Sequence, residues 1–245
     1  MSCMDRKELL NISGLEEKNF WHVSRRDLLG KMLPKKSGTV FEVGAGCGKN
    51  LEFLRSLGFE ASGIDIDPAA VEFSRKKGLE VSRSSVEGHE FSEKYDLLLM
   101  MDVLEHIEKD AECVKKLATG IKKGGHLYLT VPAFNFMYGP HDLLCHHHRR
   151  YEIGTVKKIV ESAGLSIEKI SYWNGTFFLP VAGFKILRRL LFGGDLTKTN
   201  PDLGIAPEPA NSAIIHALRV ENHLIAGGFS VPFGSSVVCL ARKVK

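Results

Sequence analysis

The sequence predicts an α/β fold, a mostly parallel sheet with helices on both faces. Three observations carry this. An apolar run (Thr39, Val40, Phe41, Val43) stops at glycines spaced two apart, Gly44, Gly46 and Gly48. A second run, Ala61 to Ile64, ends in a carboxylate, Asp65. The continuous apolar stretch Leu97 to Met101 suits a strand buried on both faces. Strands that alternate with helices imply right-handed crossovers and parallel pairing.

The elements follow in order. Residues 5–33 read as one helix, apolar at Leu28, Leu29, Met32 and Leu33 and stopped by Pro34. Residues 39–44 form the first strand, 48–57 a helix ended by Gly58, and 60–65 the second strand. Pro68 opens the next helix in its first turn, and Gly78 ends it. Strands at 79–83 and 95–101, a helix at 110–122, a strand at 125–131, a helix at 154–163 and a strand at 165–172 complete the alternation. Val231, Phe233, Val237, Val238, Leu240 and Ala241 read as a last, hairpin-paired strand. Pro201, Gly204, Pro207 and Pro209 mark an irregular loop. The expected organisation is an N-terminal helical cap at 1–37, a core at 38–173, a lid or substrate insertion at 174–230, and a C-terminal strand at 231–245 that completes the sheet. A further insertion spans 133–150.

A chain of 245 residues with 44% hydrophobic and 25% charged residues suits one such domain with additions. The net charge of +4 is mild, and no Lys/Arg stripe interleaves with aromatics, which argues against a nucleic-acid partner. Cys3, Cys47, Cys113, Cys145 and Cys239 are scattered without a Cys-x-x-Cys pair. That pattern implies reduced thiols and a cytoplasmic setting. The first ten residues lack an apolar core, so no secretory leader is expected. The most apolar stretch, 176–192, contains Lys185, Arg188 and Arg189 and falls short of a membrane span. It reads as a packed lid helix or as a helix lying on a membrane surface through 177–192, the second reading favouring a lipid-like partner.

The glycine loop narrows the ligand. A nicotinamide-binding loop wants glycine where this chain has Lys49, and a phosphate-cradling loop wants Ser or Thr where it has Asn50. A nucleoside without phosphates fits better, and S-adenosylmethionine is one.

With Glu42 ahead of the glycines, Glu42 to Gly48 resembles the acid-x-Gly-x-Gly-x-Gly motif of the class I S-adenosylmethionine-dependent methyltransferases. The likeness extends over 38–132, through Gly63-Ile64-Asp65-Ile66-Asp67-Pro68, Tyr95 to His106 and Lys123 to Pro132. The nearest branch is that of the ubiquinone-biosynthesis O-methyltransferases and related small-molecule enzymes. The resemblance implies a Rossmann-like seven-stranded sheet with an antiparallel last strand. It also implies methyl transfer from S-adenosylmethionine, with S-adenosylhomocysteine as product, to a small-molecule or lipid-like acceptor, most readily at oxygen. The rivals are a non-catalytic cofactor-binding or interaction protein and, further off, an NAD-dependent oxidoreductase.

By the same resemblance the cofactor lies against Gly44, Gly46 and Gly48. Asp65 and Ile66 are at its ribose end and Met101 is beside it. Glu42 either reaches the cofactor ammonium or braces the loop. Ser85 stands where the family carries an acid for the adenine, and Val86 covers the ring. Arg25 or Arg26, after Phe20-Trp21, would grip the cofactor carboxylate as a planar fork. A hydroxyl acceptor needs a base, and histidine suits that task. His106, in Glu105-His106, is one candidate, with a structural Glu-His pair as its alternative. His141 and His147, in a stretch resembling a Gly-His-x-Arg-Arg-Tyr segment, are the others, with an ordered turn fixed by Arg150 and Tyr151 as theirs. The run His146-His147-His148 beside Cys145 invites a metal, but these adjacent residues cannot all converge on one ion and no helical His-x-x-x-His spacing appears, so no metal site is expected. An Asn/Asp-Pro-Pro-aromatic motif and a Pro-Cys pair after the fourth strand are both missing, which sets aside amine methylation of bases and cytosine C5 chemistry.

Overall fold

A computed structural model of the chain describes residues 14, 16–34, 37–178, 183 and 207–244. Seven strands form one sheet: β1 (Gly38–Val43), β2 (Phe59–Asp65), β3 (Glu80–Arg83), β4 (Tyr95–Met101), β5 (Ile121–Pro132), β6 (Leu165–Trp173) and β7 (Ser236–Lys243). Their order is β3-β2-β1-β4-β5-β7-β6. Strands β1 to β5 pair in parallel, and β7 runs antiparallel between β5 and β6. The expected mostly parallel seven-stranded sheet with an antiparallel last strand is observed.

The helices are α1 (Phe20–Met32), α2 (Lys49–Ser56), α3 (Pro68–Lys76), α4 (Asp110–Gly120), α5 (Pro140–Leu144), α6 (Ile153–Ser162) and α7 (Ala210–Ala226). Strand β4 shows how they layer. Leu98 and Met100 join the core under α4 and α6, with Val114, Leu117, Val156 and Val160. Leu97, Leu99 and Met101 face the opposite core, with Leu28, Leu29, Leu51, Leu54 and Ile225 of α1, α2 and α7. A side-chain period of two divides the strand between two buried layers, so it reads as unbroken hydrophobicity.

Four expectations need correction. The helix expected over 5–33 is interrupted at Asn19, whose side chain accepts from the Trp21 amide at 2.8 Å and caps α1; residues 5–13 lie outside the described set. The helix expected to reach 122 stops at Gly120, and β5 begins at Ile121 with an irregular register opposite Tyr95 and Leu97. Val231 and Phe233 are not in β7. Val231 makes one bridge to Tyr172, Pro232 has no amide to donate, and a Cβ on Gly234 would sit 2.3 Å from the Trp173 carbonyl oxygen. The last strand is also no simple hairpin partner, since it inserts between two strands.

Helix α7 was not foreseen. Asn222 on it accepts from Trp173 Nε1 at 2.8 Å and donates to the Ser24 carbonyl and Asp27 at 2.8 Å each. Trp21 packs on Trp173 with ring centres 4.8 Å apart. These contacts lock α1 against α7 and the end of β6. Among the described residues no helix is long and apolar enough to cross a membrane. The 177–192 segment proposed for membrane contact lies almost entirely outside the described residues.

Candidate active site

In an open α/β sheet, ligands sit beyond the carboxyl ends of strands where the strand order reverses. Here that point is between β1 and β4. The glycine loop leaves β1 there. Gly44 has φ +75°, and a Cβ on it would lie 2.4 Å from Val103 Cγ2, so only glycine fits. Gly46 differs: a Cβ there would meet nothing within 4 Å. Its outer side is open to a ligand. Gly48 caps α2.

Asp65, at the end of β2, accepts from the Gly46 amide at 2.7 Å and from the Asp67 amide at 2.8 Å. It ties the two loops together. Ile66 beside it is 52% exposed, too open for a core residue, and so presents its side chain at the rim. Glu42 is buried under the loop. Its Oε1 accepts from Asn50 at 2.6 Å, while Oε2 has no hydrogen-bond partner among the described residues. Burial pushes this carboxyl up to about 8, against the Asn50 hydrogen bond that favours its ionised form. Met101 is buried at the end of β4, with its sulfur 3.7 Å from the Asn50 amide.

Arg25 points from α1 into the same space and pairs with Asp102, leaving its Nε unpartnered. Arg26 turns the other way and donates to the Glu16 carbonyl. Glu16 was not anticipated. Its carboxyl is raised by burial despite the neighbouring Arg25 and Arg26, and its Oε2 has no hydrogen-bond partner among the described residues. It lies on the segment preceding Asn19, which no motif covers. On the other side of the loop, Ser85 Oγ accepts from the Gly88 amide at 3.1 Å and Val86 is buried. A cavity of about 420 Å³ opens between Val86 and Ile107, walled by Glu87, Cys113 and Lys116.

A second cluster follows β4. Asp102 has φ +56° and accepts from Arg25 and, at 3.2 Å, from Thr130. It links the glycine-loop side to the turn Leu104–His106. Glu105 is 1% exposed, and burial, then the charge of Asp102, pushes its carboxyl up to about 8. Its Oε2 has no hydrogen-bond partner among the described residues. The 141–151 stretch folds against this turn. The His148 amide donates to the Glu105 carbonyl at 2.8 Å, and the His147 and His106 rings meet edge-on at 4.7 Å. His147 holds Asp142 through Nδ1 at 2.8 Å and turns Nε2 toward Glu105 Oε1 at 3.9 Å. Burial alone would lower the His147 imidazolium, but the hydrogen bonds to Asp142 and Cys145 outweigh it and hold it at about 9. Burial and His147 together lower His106.

Asp142 is the pin of this stretch. It is fully buried, accepts from Arg150 Nε and Nη2 at 2.8 and 3.0 Å, and accepts from the Gly139 amide at 2.7 Å. Tyr151 donates to Asp110 at 3.1 Å and to the Leu104 carbonyl at 3.3 Å. Arg150 and Tyr151 therefore order the segment. His141 stands apart. It faces the Cys145 sulfur at 3.6 Å, and its ring centre is 6.1 Å from that of His147. The structure thus brings His106 and His147 together with Glu105 and leaves His141 at the edge. Phe134, whose amide donates to the Tyr151 carbonyl at 2.9 Å, stacks on Tyr172 at 4.7 Å and meets Phe178 at 5.3 Å, and Phe178 stacks on Phe233 at 5.9 Å.

A family model described as a methyltransferase domain matches residues 18–170, well over half of the chain. The chain is similar to the ubiquinone biosynthesis O-methyltransferase of Proteus mirabilis (strain HI4320), 30% identical over 99 residues that make up 37% of this chain and 40% of that protein. The chain spans less than half the length of the curated relatives it matches first. It is similar in structure to the methyltransferase complexed with the Haloferax volcanii Trm112 activator, with TM-score 0.63 and 15% identity over 97% of this chain and 94% of that one. It is also similar to an S-adenosylmethionine-dependent methyltransferase from Mesorhizobium loti, with TM-score 0.60 and 14% identity over 90% of this chain and 97% of that one. At such identities the two structures establish the fold.

Proposed function

We propose that the chain, which belongs to the methyltransferase domain family, is an S-adenosylmethionine-dependent methyltransferase that methylates a hydroxyl oxygen of a small or lipid-like acceptor. The observation that carries this is the meeting, across Asp102, of a glycine loop with polar groups unmet among the described residues and a cluster of the buried Glu105 with His106 and His147.

The cofactor side fits its ligand. Glu42 Oε2, Glu16 Oε2 and Arg25 Nε are buried without hydrogen-bond partners among the described residues, and such atoms are costly unless a ligand satisfies them. The carboxylates suit an ammonium and Arg25 suits a carboxylate, the two ends of an amino acid. Asp65 retains acceptor capacity for ribose hydroxyls, and the open face of Gly46 allows close approach. Ile66 and Val86 offer apolar cover and Ser85 a hydroxyl, and Val86 also lines the cavity beside Ile107. Arg26 contributes by holding the segment that carries Glu16.

Bound there, S-adenosylmethionine supplies an electrophilic methyl and a neutral leaving sulfur. The protein's tasks are to align, to exclude water and to handle the acceptor proton. The Glu105–His106–His147 cluster stands on the acceptor side of Asp102 and meets the last task; His141 shapes its rim. Phe134, Tyr172, Phe178 and Phe233 form an aromatic wall suited to a flat or apolar acceptor. That wall, and the likeness to ubiquinone biosynthesis O-methyltransferases, favour oxygen of a phenol or an isoprenoid-bearing ring.

The test has two stages. Calorimetric titration of the full chain with S-adenosylmethionine, S-adenosylhomocysteine and NAD should show binding of the first two, abolished in Asp65→Ala. Labelled methyl transfer is then screened on phenols, quinone precursors and polyprenyl lipids. Binding of NAD alone would overturn the assignment. Cofactor binding with transfer to none of the acceptors would favour a binding protein without turnover.

A further inference from the structure

We propose that Glu105, His106 and His147 bind one divalent first-row transition-metal ion, which polarises the acceptor oxygen; that role, though not the binding itself, rests on the methyl-transfer reading above. One ligand atom from each residue lies within 4.8 Å of the other two. Donors around a single tetrahedral ion at about 2.1 Å stand roughly 3.4 Å apart, so side-chain torsions suffice to close the site.

The cluster makes poor sense as a finished structural contact. Glu105 is almost fully buried, yet one carboxylate oxygen has no hydrogen-bond partner among the described residues. The other is 3.9 Å from His147 Nε2, beyond a hydrogen bond, although both groups sit on an ordered frame. A Glu–His pair meant to bond would have closed that gap. His147 is also set as a ligand would be. Its Nδ1 is held by Asp142, Asp142 is held in turn by Arg150, and the ring, which also meets Cys145, turns Nε2 toward Glu105 with His106 alongside. Histidine ligands are oriented in this way by a carboxylate on the far nitrogen. The His146–His148 run suggested no site because its members cannot converge. The three that do converge come from two loops, and only one belongs to that run.

Two imidazoles and a carboxylate suit zinc, cobalt, manganese or iron(II) better than calcium or magnesium, which prefer oxygen donors. Three protein donors leave a position open. Placed there, the acceptor hydroxyl becomes more acidic and loses its proton to solvent. Its oxygen then forms the bond to the methyl carbon as the carbon–sulfur bond breaks, and that electron pair returns to sulfur.

The test is a cobalt(II) titration of the chelator-treated full chain. The expected result is one equivalent bound with a visible ligand-field absorption band, displaced by zinc and not by millimolar magnesium. Glu105→Gln and His106→Asn should each weaken cobalt binding at least tenfold, while both still bind S-adenosylhomocysteine, which reports an intact fold. The proposal is overturned if the wild-type chain takes up no cobalt. It is equally overturned if uptake is unchanged in both variants, since the ion then sits elsewhere, as on exposed His146 and His148. Cobalt bound at these residues in a chain that fails to bind S-adenosylhomocysteine would keep the site and remove its role in methyl transfer.

Discussion

The two halves of the site are built differently. The cofactor half is a contiguous device: β1, three glycines and α2 follow one another, and a single long-range tie, Asp65 to Gly46, completes it. The acceptor half is assembled from Asp102 to His106, Asp142 to Tyr151 and the aromatic wall, which are far apart in the chain. Backbone conformation shapes the first. Buried charge shapes the second, with Asp142 holding Arg150 and His147 at once. Damage should therefore stay local in one half and spread in the other.

The largest change expected in cofactor affinity tests the local half. Gly46→Ala places a methyl where the protein has no atom within 4 Å, at a φ of +52°. The fold should tolerate it at a cost of about 1–2 kcal/mol. S-adenosylhomocysteine affinity, read by calorimetry, should fall on the order of 100-fold, because a small misplacement at such a loop is costly. Retained affinity would mean that the ligand does not approach Gly46.

Asp142→Asn tests the half that spreads. It removes one partner of a fully buried ion pair, which costs about 3–5 kcal/mol, so the chemical-denaturation midpoint should drop sharply. The affinity of the folded fraction for S-adenosylhomocysteine should change little. A variant with wild-type stability would show that Asp142 is not the pin.

This contrast explains what could be read in the sequence. The glycine loop, Asp65 and the alternation of β1 to β5 depend on neighbours in the chain, and they stand where spacing put them. Glu105 and His106 were visible as a motif. The side His147 presents to them was not, because it depends on a Glu105 backbone bond and on Asp142. Glu16 and α7 were missed for the same reason. Glu16 carries no motif. Helix α7 follows a proline-marked loop and is stabilised by Asn222 reaching Trp173, Ser24 and Asp27, contacts that no periodicity encodes. The cap at Asn19 was legible as an N-cap residue but was absorbed into a longer helical pattern.

A smaller effect sharpens the account of Glu42. In the free protein burial holds its carboxyl at about 8, above the ordinary value of 4.5. The sign follows from linkage. The folded free state keeps a proton that the unfolded state has lost, so this group's stabilising contribution is complete below about pH 4.5 and disappears as pH rises through about 8. A cofactor ammonium favours the ionised form. Binding should release a proton, and affinity should rise up to about tenfold per pH unit between pH 6 and 8. Glu42→Gln should flatten that profile. Calorimetry in buffers of different ionisation enthalpy measures the released proton directly, and no release would place Glu42 away from the amine.

The smallest effect is a control on locality. Asp67 caps α3, accepting from the Ala69 and Ala70 amides at 2.7 and 3.1 Å. Its own amide donates to Asp65, and a side-chain change leaves that bond in place. Asp67→Ala should cost about 1 kcal/mol in thermal or chemical unfolding. Cofactor affinity should stay within about twofold, because Asp65 is positioned by backbone amides and not by the Asp67 carboxylate. If affinity fell tenfold with only this modest loss of stability, the cap would be part of the ribose site. The cofactor half would then depend on side chains beyond its glycine loop, and the contrast between the two halves would narrow.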